Sequence, residues 1–285
     1  MDYFLLLASL CVIYSIATLG QNYATGYAGL ISLNHGAFFG IGAYAGAVFL
    51  TQFQTSFFLA LLAAAICSGT FAFLISFPLL RLKGDSFVLV SFGISFIVYE
   101  FLLNSRSITN GPLGIKGIPS PETLIPFPGG FFLLTLLVLC SVLYAMHRIL
   151  CSAYGIIIRS TRENARVTQI AGHSIISYQR SVYVLSAIIT GVAGVFLAVL
   201  LSTLVPPEFN YYRSVLLLVM AIFGGLASLG GSVLGAGLMV LFPELLRFSG
   251  FPNSILAESV QIVYGLLLVF LMISRPRGLF GRWNF

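Results

Sequence analysis

Apolar residues run almost unbroken along this chain, and polar or glycine-rich stretches punctuate the runs instead of alternating with them. Runs near 3–19, 57–80, 86–104, 130–149, 181–202, 215–229, 231–247 and 255–273 read as membrane-spanning helices. A ninth run, 36–50, is shorter and Gly-rich. It either crosses or forms a re-entrant half-helix packed inside the protein, where irregular backbone is tolerated. Continuous apolarity favours helices over a barrel, whose strands alternate over about ten residues. The expected fold is all-α: a polytopic transmembrane helical bundle of eight or nine spans, forming a single domain over 1–285.

Composition supports that reading. Only 8% of the residues are charged and 59% are hydrophobic, against about 25% charged in a soluble domain. Between Asp2 and Arg81 lie 78 residues without a single Asp, Glu, Lys or Arg. As helix they span roughly 117 Å, three or four crossings of a ~30 Å core. Soluble enzymes and nucleic-acid binders are excluded. The net charge of +6 comes from sparse basic residues between apolar runs, which act as topology signals and not as a phosphate-binding stripe. Cys11, Cys67, Cys140 and Cys151 lack metal-ligand spacing and are expected to be small buried hydrophobes within helices. Residues 1–19 lack a basic leading region, so the first segment reads as an uncleaved anchor.

The basic residues orient the chain. Segment 148–180 holds Arg148, Arg159, Arg162, Arg166 and Arg180 against Glu163; the tail holds Arg275, Arg277 and Arg282; Arg81 and Lys83 occupy the turn 81–85. Placing these three regions in the cytoplasm puts ten of the fourteen Lys/Arg inside and leaves Arg106, Lys116, Arg213 and Arg247 outside. The C-terminus is then cytoplasmic, and the side of the N-terminus depends on whether 36–50 crosses. Residues 105–129, with five prolines, form a turn-rich external loop. Residues 150–180 form the long cytoplasmic loop, with Ile156, Ile157, Ile158, Val167 and Ile170 among arginines in short amphipathic helices on the membrane face or on a partner.

An internal echo links 29–42 (GLISLNHGAFFGIG) with 225–237 (GLASLGGSVLGAG), so that Gly36, Gly40 and Gly42 pair with Gly231, Gly235 and Gly237. Small residues at four-residue spacing allow close helix approach, and Gly-interrupted segments in repeated halves point to a transporter core. Whether the repeats are parallel or inverted stays open at this level. The chemistry is otherwise sparse. Asp85, Glu100, Glu244 and Glu258 fall at helix ends, Glu100 being the one acid placed to face a cavity, and no charge is expected mid-membrane. His35, His147 and His173 are scattered, no HExxH or Ser/His/Asp arrangement exists, and no P-loop is present. The chain is therefore expected to have no catalytic residue, metal site or cofactor of its own.

Five ordered blocks carry a family resemblance: GLISLNHGAFFGIGAYAG (29–46), LRLKGDSFVLVSFG (80–93), TNGPLGIKGIP (109–119), IFGGLASLGGSVLGA (222–236) and YGLLLVFLMISRPRGLFG (264–281). Together they resemble the permease subunit of branched-chain amino-acid ABC importers of the LivM type, a family that also includes urea and amide permeases. The resemblance implies that 150–176 is the coupling loop docking on an ATPase, with Arg159, Arg162, Glu163, Ala165, Ala171 and Gly172 in it. It implies that Gly29, Ser32, Asn34, His35 and Gly36 form the signature that re-enters the membrane core, joined in packing by Gly40, Gly231 and Gly235. Thr109, Asn110 and Gly111 stand in the external loop, Asn110 where the family carries a glycine. Pro276, flanked by Arg275 and Arg277, matches the C-terminal stop.

The implied function is a permease subunit of an ATP-driven importer of branched-chain or hydrophobic amino acids in the bacterial inner membrane. The implied partners are a second permease subunit, two cytoplasmic ATPase subunits that carry the ATP and Mg, an extracytoplasmic solute-binding protein and membrane lipid, with no nucleic acid. A urea or short-amide importer is the main alternative. An ion-coupled secondary transporter with an essential Glu100 and a purely structural membrane protein are the rivals from other classes.

Overall fold

The computed structural model describes residues 3–125, 127, 129–248, 262, 264–266 and 269. Most of the expected span 255–273, with Glu258, and the basic tail with Arg275, Arg277 and Arg282 lie outside the described residues. Helix α1 (Tyr3–Asn22) continues into a π-helical turn, Tyr23–Tyr27, and an irregular stretch leads to α2 (His35–Thr51). Then come α3 (Phe57–Leu79) and α4 (Asp85–Asn104). The 105–129 loop contains α5 (Arg106–Thr109), a 3-10 turn at Gly111–Leu113, β1 (Ile115–Lys116) and α6 (Pro121–Leu124). Beyond it lie α7 (Gly130–Cys151), α8 (Ala153–Glu163), α9 (Ala165–Ile170) and α10 (Ile175–Leu201). The chain goes on through β2 (Thr203–Leu204), a 3-10 turn at Pro206–Phe209, α11 (Tyr211–Gly224) and α12 (Leu229–Phe248).

The protein is a helical membrane bundle. Among the described residues, five helical segments, 3–27, 57–79, 85–104, 130–151 and 175–201, are long and apolar enough to cross a membrane, and α2, α11 and α12 are shorter apolar helices. Helix α10 forms the axis, packed against α1, α2 and α3. It can be central because its neighbours meet it through glycine. A β-carbon on Gly42 would overlap the Gly191 backbone, one on Gly194 the Phe39 carbonyl, and one on Gly20 the Thr190 side chain. Where lipid is as apolar as leucine, such close backbone approach supplies much of the packing energy. Helices α3, α4 and α7 are peripheral, and their outward faces carry exposed Leu62, Ile66, Leu89, Ile97 and Leu137 toward hydrocarbon.

Contacts set the directions. Helix α2 runs parallel to α10, with His35 against Ser186, Gly42 against Gly191 and Gly46 against Val195. Helix α3 runs antiparallel, with Phe57 on Phe196, Gly69 on Ile188 and Phe77 beneath Arg180. The start of α10, the 81–85 turn and α8–α9 therefore share one face, here termed the basic face. The opposite face carries the 105–129 loop and the start of α1, whose Tyr3 hydroxyl donates to Glu244. Run 36–50 therefore rises away from the basic face as a helix, and the chain before it is broken.

Three sequence expectations change. Helix α10 begins at Ile175, six residues earlier than the apolar run, because its polar first turns carry Arg180 over the Phe77 ring at 4.1 Å. The runs 215–229 and 231–247 become α11 from 211 and α12 from 229, with the break at 225–228 set by Gly225 at φ 113° and Ala227 at φ 58°. The cysteines are helical but not buried: Cys67, Cys140 and Cys151 are exposed and Cys11 is half-buried. A thiol is apolar enough to face lipid as readily as core.

Candidate functional site

The interruption between α1 and α2 is the centre of the site. Gly29 turns the chain at φ 72°, and residues 30–34 run irregularly through the bundle interior. Backbone at that depth must find partners within the protein, and it does. The Leu33 N–H donates to Ser91 Oγ at 3.0 Å, and the Leu33 carbonyl accepts from Ser95 Oγ at 2.5 Å. The Ser32 carbonyl accepts from Gln21 Nε2 at 3.0 Å, and the Leu30 carbonyl from Thr25 Oγ1 at 3.2 Å. The side chains join the same network. His35 bridges Ser32 Oγ at 2.9 Å and Ser186 Oγ at 3.1 Å, and Asn34 donates to the Tyr183 hydroxyl. Ser32, Asn34 and His35 are all fully buried.

A second broken helix meets the first. Ser214 Oγ accepts the Gly36 N–H at 3.0 Å and lies 3.2 Å from Ser95 Oγ. A β-carbon on Gly36 would run into the Ser214 backbone, and one on Gly40 would touch Phe209 Cβ at 3.0 Å. Gly36 lies fifteen residues before the end of α2 at Thr51, on the face opposite the basic one, roughly 22 Å at helical rise. Helix α11 thus begins near mid-membrane, reached by a segment that descends from β2 along α2. At its start Arg213 Nη2 pairs with Glu208 Oε2 at 2.5 Å, its Nε donates to the Glu208 carbonyl at 2.8 Å, and its Nη1 donates to the Tyr14 hydroxyl. Counting Arg213 among the external residues is therefore wrong, and so is the expectation of no mid-membrane charge. Arg213 looked like loop because it precedes an apolar run, whereas the chain before it folds inward.

The echo places 225–228 at the same face as 28–34. Asn22 serves that break with both ends of its amide. Its two Nδ2 hydrogens are shared among the Gly225 carbonyl at 3.3 Å, the Ser228 carbonyl at 3.1 Å and Ser232 Oγ at 2.6 Å, and its Oδ1 accepts the Ala227 N–H at 3.0 Å. Helices α1 and α11 run toward the basic face, and α2 and α12 run away from it. The repeats are parallel. Gly231 packs on the Gly224 backbone and Gly235 on Met220 and Gly224, but nothing lies within 4 Å of a β-carbon at Gly237.

At the basic face, α8 and α9 form the compact core of segment 150–180. Arg159 donates to the Leu150 carbonyl at 3.1 Å and lies over the Tyr27 ring. Arg162 donates to the Gly26 carbonyl, and its stem covers Gly29, so α8 is tied to the inner edge of the first break. Burial holds the Arg162 guanidinium below its ordinary pKa, an effect opposed by Glu163. Asn164 caps α9 by accepting the Val167 N–H at 3.3 Å. Gly172 ends it at φ 84°, with its own N–H on the Gln169 carbonyl and the His173 N–H on the Thr168 carbonyl, a Schellman closure. Glu163, Ala165, Val167, Ile170 and Ala171 are exposed. A cavity of about 720 Å3 opens between Gly29–Ile31, the 81–85 turn and Ala165, Arg166 and Gln169.

On the opposite face, the single Thr109 hydroxyl hydrogen is shared between the Leu102 and Ser105 carbonyls, both 2.7 Å from Oγ1, and Oγ1 accepts the Gly111 N–H at 3.2 Å. Strand β1 pairs antiparallel with β2, Ile115 opposite Leu204. Asn110 has φ 59°, a conformation asparagine tolerates better than other residues with a β-carbon. Asn110→Gly is expected to leave assembly and thermal stability unchanged, while Asn110→Val is expected to lower stability by about 1–2 kcal/mol; a detergent melting curve of each variant checks this.

The family described as the branched-chain amino acid transport system / permease component matches residues 3–272. The chain belongs to that family. The permease is 30% identical to the high-affinity branched-chain amino acid transport system permease protein LivM of Salmonella typhimurium strain LT2, over 96% of this chain and 69% of that protein. The same identity and coverage hold for the LivM protein of Escherichia coli strain K12. No solved structure matches the permease. The sequence singled out Ser32, Asn34 and His35 but not the groups that the structure places around the two breaks: Gln21, Asn22, Ser91, Ser95, Tyr183, Ser186 and Ser214. The available signal was polar residues inside apolar runs, above all the Gln21–Asn22 pair at the end of the first run. No group of three or more His, Cys, Asp or Glu placed to hold a metal occurs among the described residues.

Proposed function

We propose that this chain, a permease subunit of a branched-chain amino acid transport system, imports branched-chain or hydrophobic amino acids across the bacterial inner membrane, driven by separate ATPase subunits that bind α8–α9. The supporting observation is the mechanical link at the basic face. Arg162 joins α8 to the Gly26 carbonyl and covers Gly29, and α9 presents Val167 and Ile170, the latter 86% exposed, away from the bundle. Two large apolar side chains on a capped, six-residue helix suit a partner's groove better than solvent. A displacement of α9 carries α8 with it and reaches the break at 28–34 through Arg162. ATP-bound and ATP-free ATPases must hold α9 differently for this to bias the pathway.

In this reading the basic face is cytoplasmic, as is the C-terminus, and α2 crosses together with its irregular base. ATP and Mg reside on the ATPases, and this chain supplies no catalytic group. A second permease subunit completes the pathway. The binding protein docks at the opposite face, where Arg106 and Lys116 line a cavity of about 630 Å3 with Asn110 and Gly114. Single cysteines at 113 and 127 are expected to react with an impermeant thiol reagent in intact cells, while cysteines at 166 and 170 react only after permeabilisation; the reverse pattern overturns the orientation. The reading as a whole is tested by reconstituting the complex with its binding protein: leucine uptake must require ATP on the ATPase side, and uptake driven by an ion gradient alone refutes it.

A further inference from the structure

The Glu208–Arg213 pair is not accounted for by packing alone. Arg213 is 18% exposed, but the Glu208 side chain is 41% exposed at the level where α11 begins, near mid-membrane. A carboxylate facing hydrocarbon there is costly. Its exposure therefore points to water and not hydrocarbon beside Glu208. Its Oε2 is held by Arg213, and its Oε1 makes no hydrogen bond among the described residues. The same stretch carries an exposed aromatic surface: Tyr211 stacks on Phe96 with ring centroids 4.8 Å apart and meets the edge of Phe92 at 5.8 Å. Arg213 itself is anchored on the far side by Tyr14 and by the Glu208 carbonyl, so the ion pair is oriented before any solute arrives.

We propose that Glu208 is the mid-membrane station at which a translocating amino acid rests, its ammonium on the Glu208 carboxylate and its apolar side chain against the Tyr211–Phe96 rings. The inference rests on the amino-acid reading above and deepens it. Arg213 is the positioning residue: it holds the carboxylate aimed, and it offsets enough of the charge for the ammonium to leave again. A neutral amide has no cation for Glu208, so the station selects amine-bearing solutes.

The test uses the whole reconstituted complex with its binding protein. Glu208→Gln alone strands a half-buried guanidinium and threatens the fold, so the informative variant is the neutral pair Glu208→Gln with Arg213→Gln. Assembly is read by copurification of all subunits, and function by leucine imported per ATP hydrolysed. The expected result is an assembled complex whose ratio falls at least tenfold, with Glu208→Asp recovering part of it. An assembled neutral-pair complex that imports leucine at more than half the wild-type ratio overturns the station. A neutral-pair complex that does not assemble assigns the ion pair to the fold and also overturns it. A wild-type complex that imports a neutral amide and no amino acid overturns the amino-acid reading first, an outcome distinguishable because it needs no variant.

Discussion

Replacing Gly235 with leucine is expected to abolish assembly of the permease, while the same change two residues on, Gly237→Leu, is expected to alter transport less than twofold. A β-carbon at 235 would overlap the Met220 carbonyl and the Gly224 backbone, and nothing lies within 4 Å of one at 237. Backbone cannot swing aside as a side chain can. The α11–α12 hairpin must open, and with it the Asn22 cluster that satisfies the Gly225–Ser228 break. Overpacking a well-filled core costs about 1–3 kcal/mol; separating two backbones in contact costs more, since the orphaned carbonyls find no water at that depth. Gly42→Leu is expected to behave like Gly235→Leu, because Gly42 meets the Gly191 backbone of the axial helix. Expression, detergent extraction and copurification with the partner subunits give the readout, and normal assembly of Gly235→Leu would refute the close-packing account.

Gly172→Val is expected to reduce solute imported per ATP hydrolysed about tenfold, with Gly172→Asn close to wild type. No atom lies within 4 Å of a β-carbon at 172, so valine clashes with nothing. Its effect is conformational. At φ 84° a residue with a β-carbon costs roughly 1–2 kcal/mol, and β-branching raises that cost. About 1.4 kcal/mol is a tenfold change in population. Relaxing φ breaks the Schellman bonds from Gly172 and His173, and the end of α9 turns away from the surface that Val167 and Ile170 present. Asparagine tolerates the left-handed region and preserves the closure. Comparing the two variants in reconstituted complex separates loss of the turn from loss of the glycine. Equal, intact coupling in both would show that the α9 terminus transmits nothing.

Much of this molecule was readable from residue pattern. Unbroken apolar runs dictate transmembrane helices because a hydrocarbon solvent leaves the backbone no other way to satisfy its polar groups. The echo at 29–42 and 225–237 pointed to both broken segments, since glycine at four-residue spacing marks close approach. Arg213 was not readable. Its neighbours in sequence are those of a loop, and only the pairing of β2 with β1 and the seating of Phe209 on Gly40 bring it roughly 22 Å into the bundle. The exposure of the cysteines was equally hidden, because an apolar helix carries no signal for which face meets protein and which meets lipid.

The chain by itself thus determined the bundle, the two glycine-marked breaks and the family, because each depends on local composition and spacing. The tertiary structure alone decided what the breaks hold: His35 between Ser32 and Ser186, Leu33 between Ser91 and Ser95, Asn22 across Gly225–Ser228, and Glu208 with Arg213 at mid-membrane. The reason is sequence separation. Apart from Ser32 with His35 and Glu208 with Arg213, each of these partners lies 58 to 206 residues away along the chain. An unpaired polar group in the membrane is satisfied only by whichever helix the packing brings beside it.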